Sequence, residues 1–278
     1  LSVGTTTIRA TASATDDYAQ GVATYELTVT PKNITVTVDA VSRTYGDENP
    51  DFTATVPDGA LVGSDTIESL GLTLSSEATA TSDVGSYDVT ATASNTNYRV
   101  TVEGSKQLTI LKRPVTVTVD EVSRSYGDGN PTFTVKVDST TPLVNGDTVA
   151  SLGLTLSTEA TATSKVGKYD VTGTASSRNY DVTVEGKDKL TVNPKSITVT
   201  VTAVSRPYGD ENPDFTATVP SDALVGSDTI ESLGLGLSST ATATSDVGPY
   251  DVTGDGEYNE NYTVTIVGEK KLTVTRKS

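Results

Sequence analysis

Short runs of alternating apolar and polar residues recur along most of the chain. Residues 34–38, 87–90, 98–102 and 108–110 all alternate in this way, and the first strand is predicted to extend from Ile34 to Val41. A period of two places successive side chains on opposite faces of a strand, so one face can be buried while the other faces solvent. Pairs such as Val84-Gly85 and Glu103-Gly104 separate the runs and are typical of turns. The pattern therefore predicts small, mainly β modules built from half-buried strands.

One short segment appears three times. Residues 45–50 (Tyr45-Gly46-Asp47-Glu48-Asn49-Pro50) have a counterpart 81 residues later, and a third copy follows after 82 more. Self-similarity at a fixed period indicates an array of modules. Gly, Asp, Asn and Pro between two alternating runs are typical of a tight turn. We therefore predict a structural corner in each module, defined by Tyr45, Gly46, Asp47, Tyr126, Gly127, Asp128, Tyr208, Gly209 and Asp210.

The repeat divides the chain into three modules and a remnant. We predict a partial preceding β domain over residues 1–31 and repeats over residues 32–112, 113–194 and 195–278. Each repeat should hold six short strands and one short helix, in a β-grasp-like or an Ig-like sandwich arrangement. The junctions are short and contain Pro, which makes them stiff. An elongated rod is therefore expected, and three modules in line would span roughly 100–130 Å.

A short helical turn is predicted near the middle of each repeat. In repeat 1, Asp65 suits the N-cap, Glu68 lies three residues later, and Gly71 can end the helix. Asp147 with Gly153, and Asp228 with Gly234, occupy the matching positions.

Aromatic residues recur in step with the repeat. The three Phe are placed one per module, and nine of the twelve Tyr fall at repeated positions. A functional interpretation makes these Tyr a sugar-binding platform. The structural interpretation packs each ring at a sheet edge while its hydroxyl bonds to backbone. We favour the structural interpretation, because Leu70, Leu72 and Leu74 repeat together with the Tyr.

Composition excludes several classes of function. The chain contains no Cys, Met, Trp or His, which removes disulfides, thiolate metal sites and the commonest general base. We therefore expect no catalytic residues and no enzyme activity. A net charge of −16 disfavours nucleic acid and anionic lipid as partners. No apolar run is long enough to insert into a membrane, and the start at Leu1 suggests an internal piece of a larger polypeptide.

Carboxylates near two of the corners are weak candidates for a calcium site. Ca²⁺ prefers oxygen ligands, and acidic side chains lie close together in the first and third repeats. The candidates are Asp47, Glu48, Asp51, Asp210, Glu211 and Asp214. The middle repeat has Gly129 and Thr132 at two of these positions, so we expect no cofactor, with calcium as the one ion to consider.

A self-made Lys–Asn crosslink is a second chemical candidate. Lys32, Lys112 and Lys195 precede first strands, and Asn97, Asn179 and Asn261 each precede a late strand. No strand carries Lys at an apolar-facing position, so we favour the interpretation that these Lys side chains are exposed and not crosslinked.

The repeated residues resemble a known family. The Tyr-Gly-Asp corner, the Val84-Gly85-Ser86-Tyr87 turn and Asn97-Tyr98 recur over residues 32–276 and look like MBG-type (Tyr-Gly-Xaa motif) repeats of bacterial adhesins. Residues 1–29 resemble the C-terminal half of a cadherin-like or HYR-type β-sandwich. The resemblance implies an extracellular or cell-surface protein of bacteria. It supplies no catalytic or binding residues.

Three functions follow from the repeats. We favour a structural stalk or spacer of a bacterial surface or secreted adhesin, whose partners are neighbouring domains of the same polypeptide. One alternative is an adhesive module that binds host or matrix glycan or protein. Another is a self-assembling extracellular filament subunit, in which the N-terminal segment pairs with a strand of another chain.

Overall fold

The computed structural model describes residues 2–104, 106–255 and 258–277. The N-terminal segment forms two antiparallel strands, β1 (Gly4–Ala12) and β2 (Gly21–Val29). Repeat 1 contains β3 (Lys32–Val38), β4 (Val41–Thr44), β5 (Ala54–Thr55), β6 (Leu72–Ser75), β7 (Gly85–Tyr87), β8 (Thr90–Ala93), β9 (Tyr98–Glu103) and β10 (Leu108–Leu111).

Repeats 2 and 3 have the same order of strands. Repeat 2 contains β11 (Arg113–Val119), β12 (Val122–Ser125), β13 (Val135–Val137), β14 (Leu154–Ser157), β15 (Gly167–Tyr169), β16 (Thr172–Ala175), β17 (Tyr180–Glu185) and β18 (Leu190–Asn193). Repeat 3 contains β19 (Lys195–Val201), β20 (Val204–Pro207), β21 (Ala217–Thr218), β22 (Gly236–Ser238), β23 (Gly248–Tyr250), β24 (Thr253–Asp255), β25 (Tyr262–Val267) and β26 (Leu272–Thr275).

The mainly β class is confirmed, and the described residues of each repeat form eight strands instead of the predicted six. The predicted first strand is broken at Asp39-Ala40, where the chain leaves one sheet and enters another as β4. The run that begins at Tyr87 is likewise divided between β7 and β8. Each break lets one stretch of alternating sequence serve two small sheets.

The described residues of each repeat form three small sheets. In repeat 1 the strand orders are β5-β3-β9, β4-β10-β7 and β6-β8. The strand β3 runs parallel to β9, and β10 runs parallel to β4 but antiparallel to β7. The orders in repeat 2 are β13-β11-β17, β12-β18-β15 and β14-β16, and those in repeat 3 are β21-β19-β25, β20-β26-β23 and β22-β24.

The core follows from the alternation. Along β3, Ile34, Val36 and Val38 are buried and the residues between them are exposed. In repeat 3, Val201 of β19 packs in one cluster with Leu272 of β26, so the core joins two sheets. Burying a Val or Leu side chain contributes about 1.5–3 kcal/mol, which identifies these inward positions as the main source of stability.

The helical element of each repeat is a single 3-10 turn, and the described residues contain no α-helix. The turns are Glu68–Leu70, Val149–Leu152 and Glu231–Leu233. Gly71 ends the first at a φ of 56°, as predicted. The predicted N-cap is wrong: Ile67 occupies that position without a side-chain cap. The Asp65 carboxylate instead accepts a hydrogen bond from the Tyr98 hydroxyl at 2.6 Å.

The chain divides into two compact units that do not coincide with single repeats. The first comprises Leu1–Val115, Pro142–Ser151 and Ser177–Asp181. The second comprises Thr116–Thr141, Leu152–Ser176 and Val182–Ser278. The corner at Tyr45 therefore lies in the same unit as two loops of repeat 2. The corner at Tyr126 lies in the same unit as all of repeat 3.

Candidate functional site at the repeat junctions

Each Tyr-Gly-Asp corner begins where a strand ends. The Tyr45 amide donates to the carbonyl of Leu111 at 2.9 Å, and Gly46 donates to the carbonyl of Ala80 at 3.2 Å. Gly46 has a φ of 89°, in the left-handed region that favours glycine.

The first corner contacts the next repeat through a shared carboxylate. The Tyr45 hydroxyl donates to Asp147 Oδ2 at 3.1 Å, and the Tyr180 hydroxyl donates to the same oxygen at 2.9 Å. The two rings meet edge to face, with centroids 5.5 Å apart. Edge-to-face pairs are favourable because the positive edge of one ring meets the negative face of the other. All three residues lie in the first compact unit.

The second corner repeats this arrangement. Tyr126 and Tyr262 donate to Asp228 Oδ2 at 3.0 and 2.6 Å, and their rings are 5.4 Å apart. These residues lie in the second unit. In repeats 1 and 2, the corner tyrosine therefore contacts the central loop of the following repeat in the same way.

Burial raises the pKa of Tyr126, Tyr180 and Tyr262. Burial, together with the hydrogen bond to Asp147, raises the pKa of Tyr180 to about 12. Burial and the hydrogen bond to Asp228 likewise raise the pKa of Tyr126 and Tyr262. A hydroxyl that holds its proton remains a donor to the carboxylate at neutral pH.

The corner glycine is also needed because the next repeat approaches its backbone closely. A Cβ at Gly46 would lie 2.3 Å from Val144 Cγ2, and a Cβ at Gly127 would lie 2.6 Å from Val225 Cγ2. The third corner differs, because the nearest atom to a Cβ at Gly209 is Lys277 Nζ at 3.7 Å. At the first two corners, glycine therefore satisfies both the positive φ and the contact with the next repeat.

An asparagine forms the second contact at each junction. The Val84 amide donates to Asn179 Oδ1 at 3.0 Å, and Asn179 Nδ2 donates to Asp83 Oδ1 at 2.8 Å. The Val166 amide donates to Asn261 Oδ1 at 2.9 Å. These Asn residues were candidates for a crosslink. The structure places them as hydrogen-bonding partners between repeats.

A basic residue completes the first junction. The Arg113 side chain donates to the Tyr45 carbonyl at 2.6 Å and pairs with the Asp47 carboxylate. At the third corner, Lys277 Nζ lies 3.9 Å from Asp210 Oδ1. Two of the six calcium candidates therefore lie beside cations.

The six calcium candidates were predicted near the corners. Among the residues that the structure describes, no three His, Cys, Asp or Glu side chains come together in a way that could hold a metal ion. Asp51 and Asp214 lie instead along surface grooves, each with the glutamate of its 3-10 turn. Calcium binding stays a prediction.

A buried polar network inside each repeat was missed by sequence reasoning. Arg43 is buried, and its Nε donates to Asn49 Oδ1 at 2.7 Å. Asn49 Nδ2 then donates to the carbonyl of Ala78 at 2.7 Å. The pairs Arg124–Asn130 and Arg206–Asn212 repeat the arrangement. The signal was present, because Arg recurs six residues before each Asn.

Six of the nine repeated Tyr have a hydroxyl that is hydrogen-bonded to backbone, as the structural interpretation predicted. The hydroxyls of Tyr87, Tyr169 and Tyr250 each donate to a backbone carbonyl four residues earlier. Tyr45 and Tyr126 are each 5% exposed, whereas Tyr208 is 43% exposed.

A shallow groove recurs beside the 3-10 turn. In repeat 3 it has a volume of about 780 Å³ and is lined by residues that include Phe215, Ile230, Glu231 and Leu237. The matching groove in repeat 1 has about 480 Å³ and is lined in part by Phe52 and Glu68.

The repeated sheets and the two matching junctions define a protein of tandem, mainly β modules, in which repeats 1 and 2 each contact the following repeat through the corner. The MBG domain (YGX type) family matches residues 34–109, 115–191 and 197–273, and the chain belongs to this family. Such repeats are consistent with extracellular-type modules.

Neither the curated proteins nor the solved structures contain a significant match to the chain. Over the described ranges, no helix has the length and apolar character that crossing a membrane requires.

Proposed function

We propose that the chain is a stalk or spacer of a bacterial surface or secreted adhesin. The observation that carries this proposal is the double contact between consecutive repeats. A Tyr–Asp hydrogen bond and an Asn–backbone hydrogen bond occur together at both junctions. A spacer must hold its repeats in a fixed relation to keep a binding region at a distance, and two separate contacts resist bending better than one.

The acidic charge of the chain fits a structural role without nucleic acid or lipid partners. A net charge of −16 keeps molecules apart through self-repulsion and disfavours association with nucleic acid or anionic lipid. The partners are then the neighbouring domains of the same polypeptide. No catalytic group is required for this role.

Small-angle X-ray scattering of the full chain tests the proposal. A spacer should give an elongated particle, with a maximum dimension of roughly 100–130 Å if three modules lie in line. Replacing Tyr45 and Tyr126 together by Ala should increase flexibility. Tyr208→Ala, at the exposed third corner, is the matched control. A compact particle, or equal flexibility in both variants, would contradict a stiff spacer. Repeating the measurement with Ca²⁺ tests whether the ion stiffens the chain.

The recurring groove favours a second candidate, an adhesive module that binds glycan or protein. An aromatic and an acidic residue line the same groove, as Phe215 and Glu231 do in repeat 3. Weak sites repeated along one chain would gain strength through avidity. Glycan-array binding by the full chain that is lost in Glu231→Gln, but retained in Glu48→Gln, would support this candidate. No binding above background would count against it.

A further inference from the structure

The N-terminal hairpin has the spacing of the last part of a repeat. From Val3 to Lys32 there are 29 positions, as there are from Val84 to Arg113 and from Val166 to Lys195. Each interval starts at a Val-Gly pair and ends at the basic residue that begins the next repeat. The hairpin therefore matches the repeats in length at a position outside the three family matches.

The strand register of the hairpin also matches. Gly4 pairs with Val29, and Thr6 pairs with Leu27. In repeat 1, Gly85 pairs with Ile110 and Tyr87 with Leu108 in the same antiparallel sense. Repeats 2 and 3 show the same pairing at Gly167 and Gly248. Beyond these pairs the hairpin continues to Ala12↔Gly21, whereas β8 of repeat 1 pairs with β6.

The hairpin contacts repeat 1 as one repeat contacts the next. The Val3 amide donates to Asn97 Oδ1 at 3.1 Å, matching the bonds from Val84 to Asn179 and from Val166 to Asn261. The Lys32 amide donates to the carbonyl of Asn97 at 2.9 Å, and Arg113 and Lys195 make the same bond. The asparagine contacts of a junction are therefore present between the hairpin and repeat 1.

The other part of this junction has no partner strand among the described residues. In every repeat, the strand equivalent to β2 lies between two others, and one of these is a parallel strand leading to the Tyr corner. Within the described residues, β2 pairs with β1 alone. Leu27 and Val29 are partly exposed, whereas their counterparts Leu108 and Ile110 are buried.

The receiving surface on repeat 1 is also formed. Val62 is 57% exposed, while its counterpart Val225, which packs against the Tyr126 corner, is 8% exposed. The Val62 amide donates to the Tyr98 hydroxyl at 2.9 Å, and that hydroxyl donates to Asp65 at 2.6 Å. Tyr180 and Tyr262 have the same two bonds, and at those positions a corner tyrosine also donates to the carboxylate.

We propose that the free edge of β2 and the surface formed by Val62, Asp65 and Tyr98 together bind an extended strand of the type Val-Ser-Arg-Xaa-Tyr-Gly-Asp, from the first half of a further MBG repeat. The strand would add in parallel to β2, so that main-chain hydrogen bonds give affinity. Its tyrosine would cover Val62 and donate to Asp65, as Tyr126 does to Asp228. The site is independent of the stalk role, because it requires only the two surfaces described.

Binding of a synthetic peptide with the sequence of residues 38–49 to the isotope-labelled full chain is the first test. Amide chemical shifts of Val62 and of residues 27–30 should change, and replacing the peptide's tyrosine by Ala should weaken binding at least tenfold. Val62→Asp in the chain should abolish the effect. Val247→Asp, which alters a similarly exposed valine elsewhere, should leave the effect intact.

A tethered variant keeps the test decisive if the free peptide binds weakly. A copy of residues 34–83 joined directly to Val3 reproduces the order found in the repeats and raises the effective concentration of the strand. Hydrogen exchange of residues 27–30 should then slow at least tenfold, and the slowing should be lost with Val62→Asp. The proposal is supported by protection in the tethered variant. It is overturned if neither form perturbs these residues, or if binding survives Val62→Asp.

Discussion

The Tyr45 hydroxyl donates to the carboxylate of Asp147, 102 residues further along the chain. Tyr126 and Asp228 form the same bond across the same interval of 102 residues. This interval is longer than one repeat, so the corner that defines a repeat finds its partner in the following one. A feature that the sequence indicates as a local turn thus also connects consecutive modules.

The corner glycines should tolerate alanine very differently. Gly127→Ala adds a Cβ 2.6 Å from Val225 Cγ2, whereas Gly209→Ala, at a similar φ of 93°, meets only the flexible end of Lys277 at 3.7 Å. Both variants bear the backbone strain of about 1–2 kcal/mol. Overpacking should cost Gly127→Ala about 1–3 kcal/mol more. Chemical denaturation measures the difference in the free energy of unfolding.

The double variant Gly127→Ala with Val225→Ala serves as the control for this clash. Shortening Val225 removes the atom in contact, so the glycine substitution should cost less in that background. Equal costs for Gly127→Ala and Gly209→Ala would show that the second corner is not tightly packed.

Alternation and turn residues were sufficient to predict the mainly β class and the corners, because both depend on neighbours in sequence. The role of Asp65 could not be predicted in the same way. An Asp before a short helix suits an N-cap, but the Asp65 carboxylate instead accepts a hydrogen bond from Tyr98, which lies 33 residues away in sequence. The Arg43–Asn49 network could have been found by comparing the three repeats. The contact between Tyr45 and Asp147 depends on how two modules pack, which periodicity does not encode.

Stability should fall above pH 10. The pKa of Tyr180 is raised from 10.0 to about 12, because burial and Asp147 oppose ionisation. Because the pKa of Tyr180 is higher in the folded protein than the value of about 10 in the unfolded chain, its contribution to stability is fully present below pH 10. This contribution is lost as the pH rises from 10 toward 12. The free energy of unfolding should decrease over that range, and Tyr180→Phe should make the decrease smaller.

Absorbance near 295 nm follows tyrosine ionisation directly. The difference between the wild-type and Tyr180→Phe titrations should show ionisation near pH 12 in the folded protein. A difference curve centred near pH 10 would contradict burial of this hydroxyl at the junction.

The buried Arg–Asn network should be sensitive to loss of its amide. Asn49→Ala leaves the Arg43 Nε and the carbonyl of Ala78 without this partner. An unsatisfied buried group costs about 1–3 kcal/mol, so the free energy of unfolding should fall by that amount. Glu48→Ala changes an exposed residue of the same corner and should have an effect below about 0.5 kcal/mol. Similar losses in the two variants would show that the network contributes little.

A double-mutant cycle between Tyr126 and Asp228 most directly tests whether the corner joins consecutive repeats. The free energy of unfolding is measured for the full chain, for Tyr126→Phe, for Asp228→Asn and for the combined variant, so that effects specific to each residue cancel. A hydrogen bond to a carboxylate across the junction predicts a coupling of about 1–2 kcal/mol. Strictly additive effects of the two substitutions would contradict the junction as described.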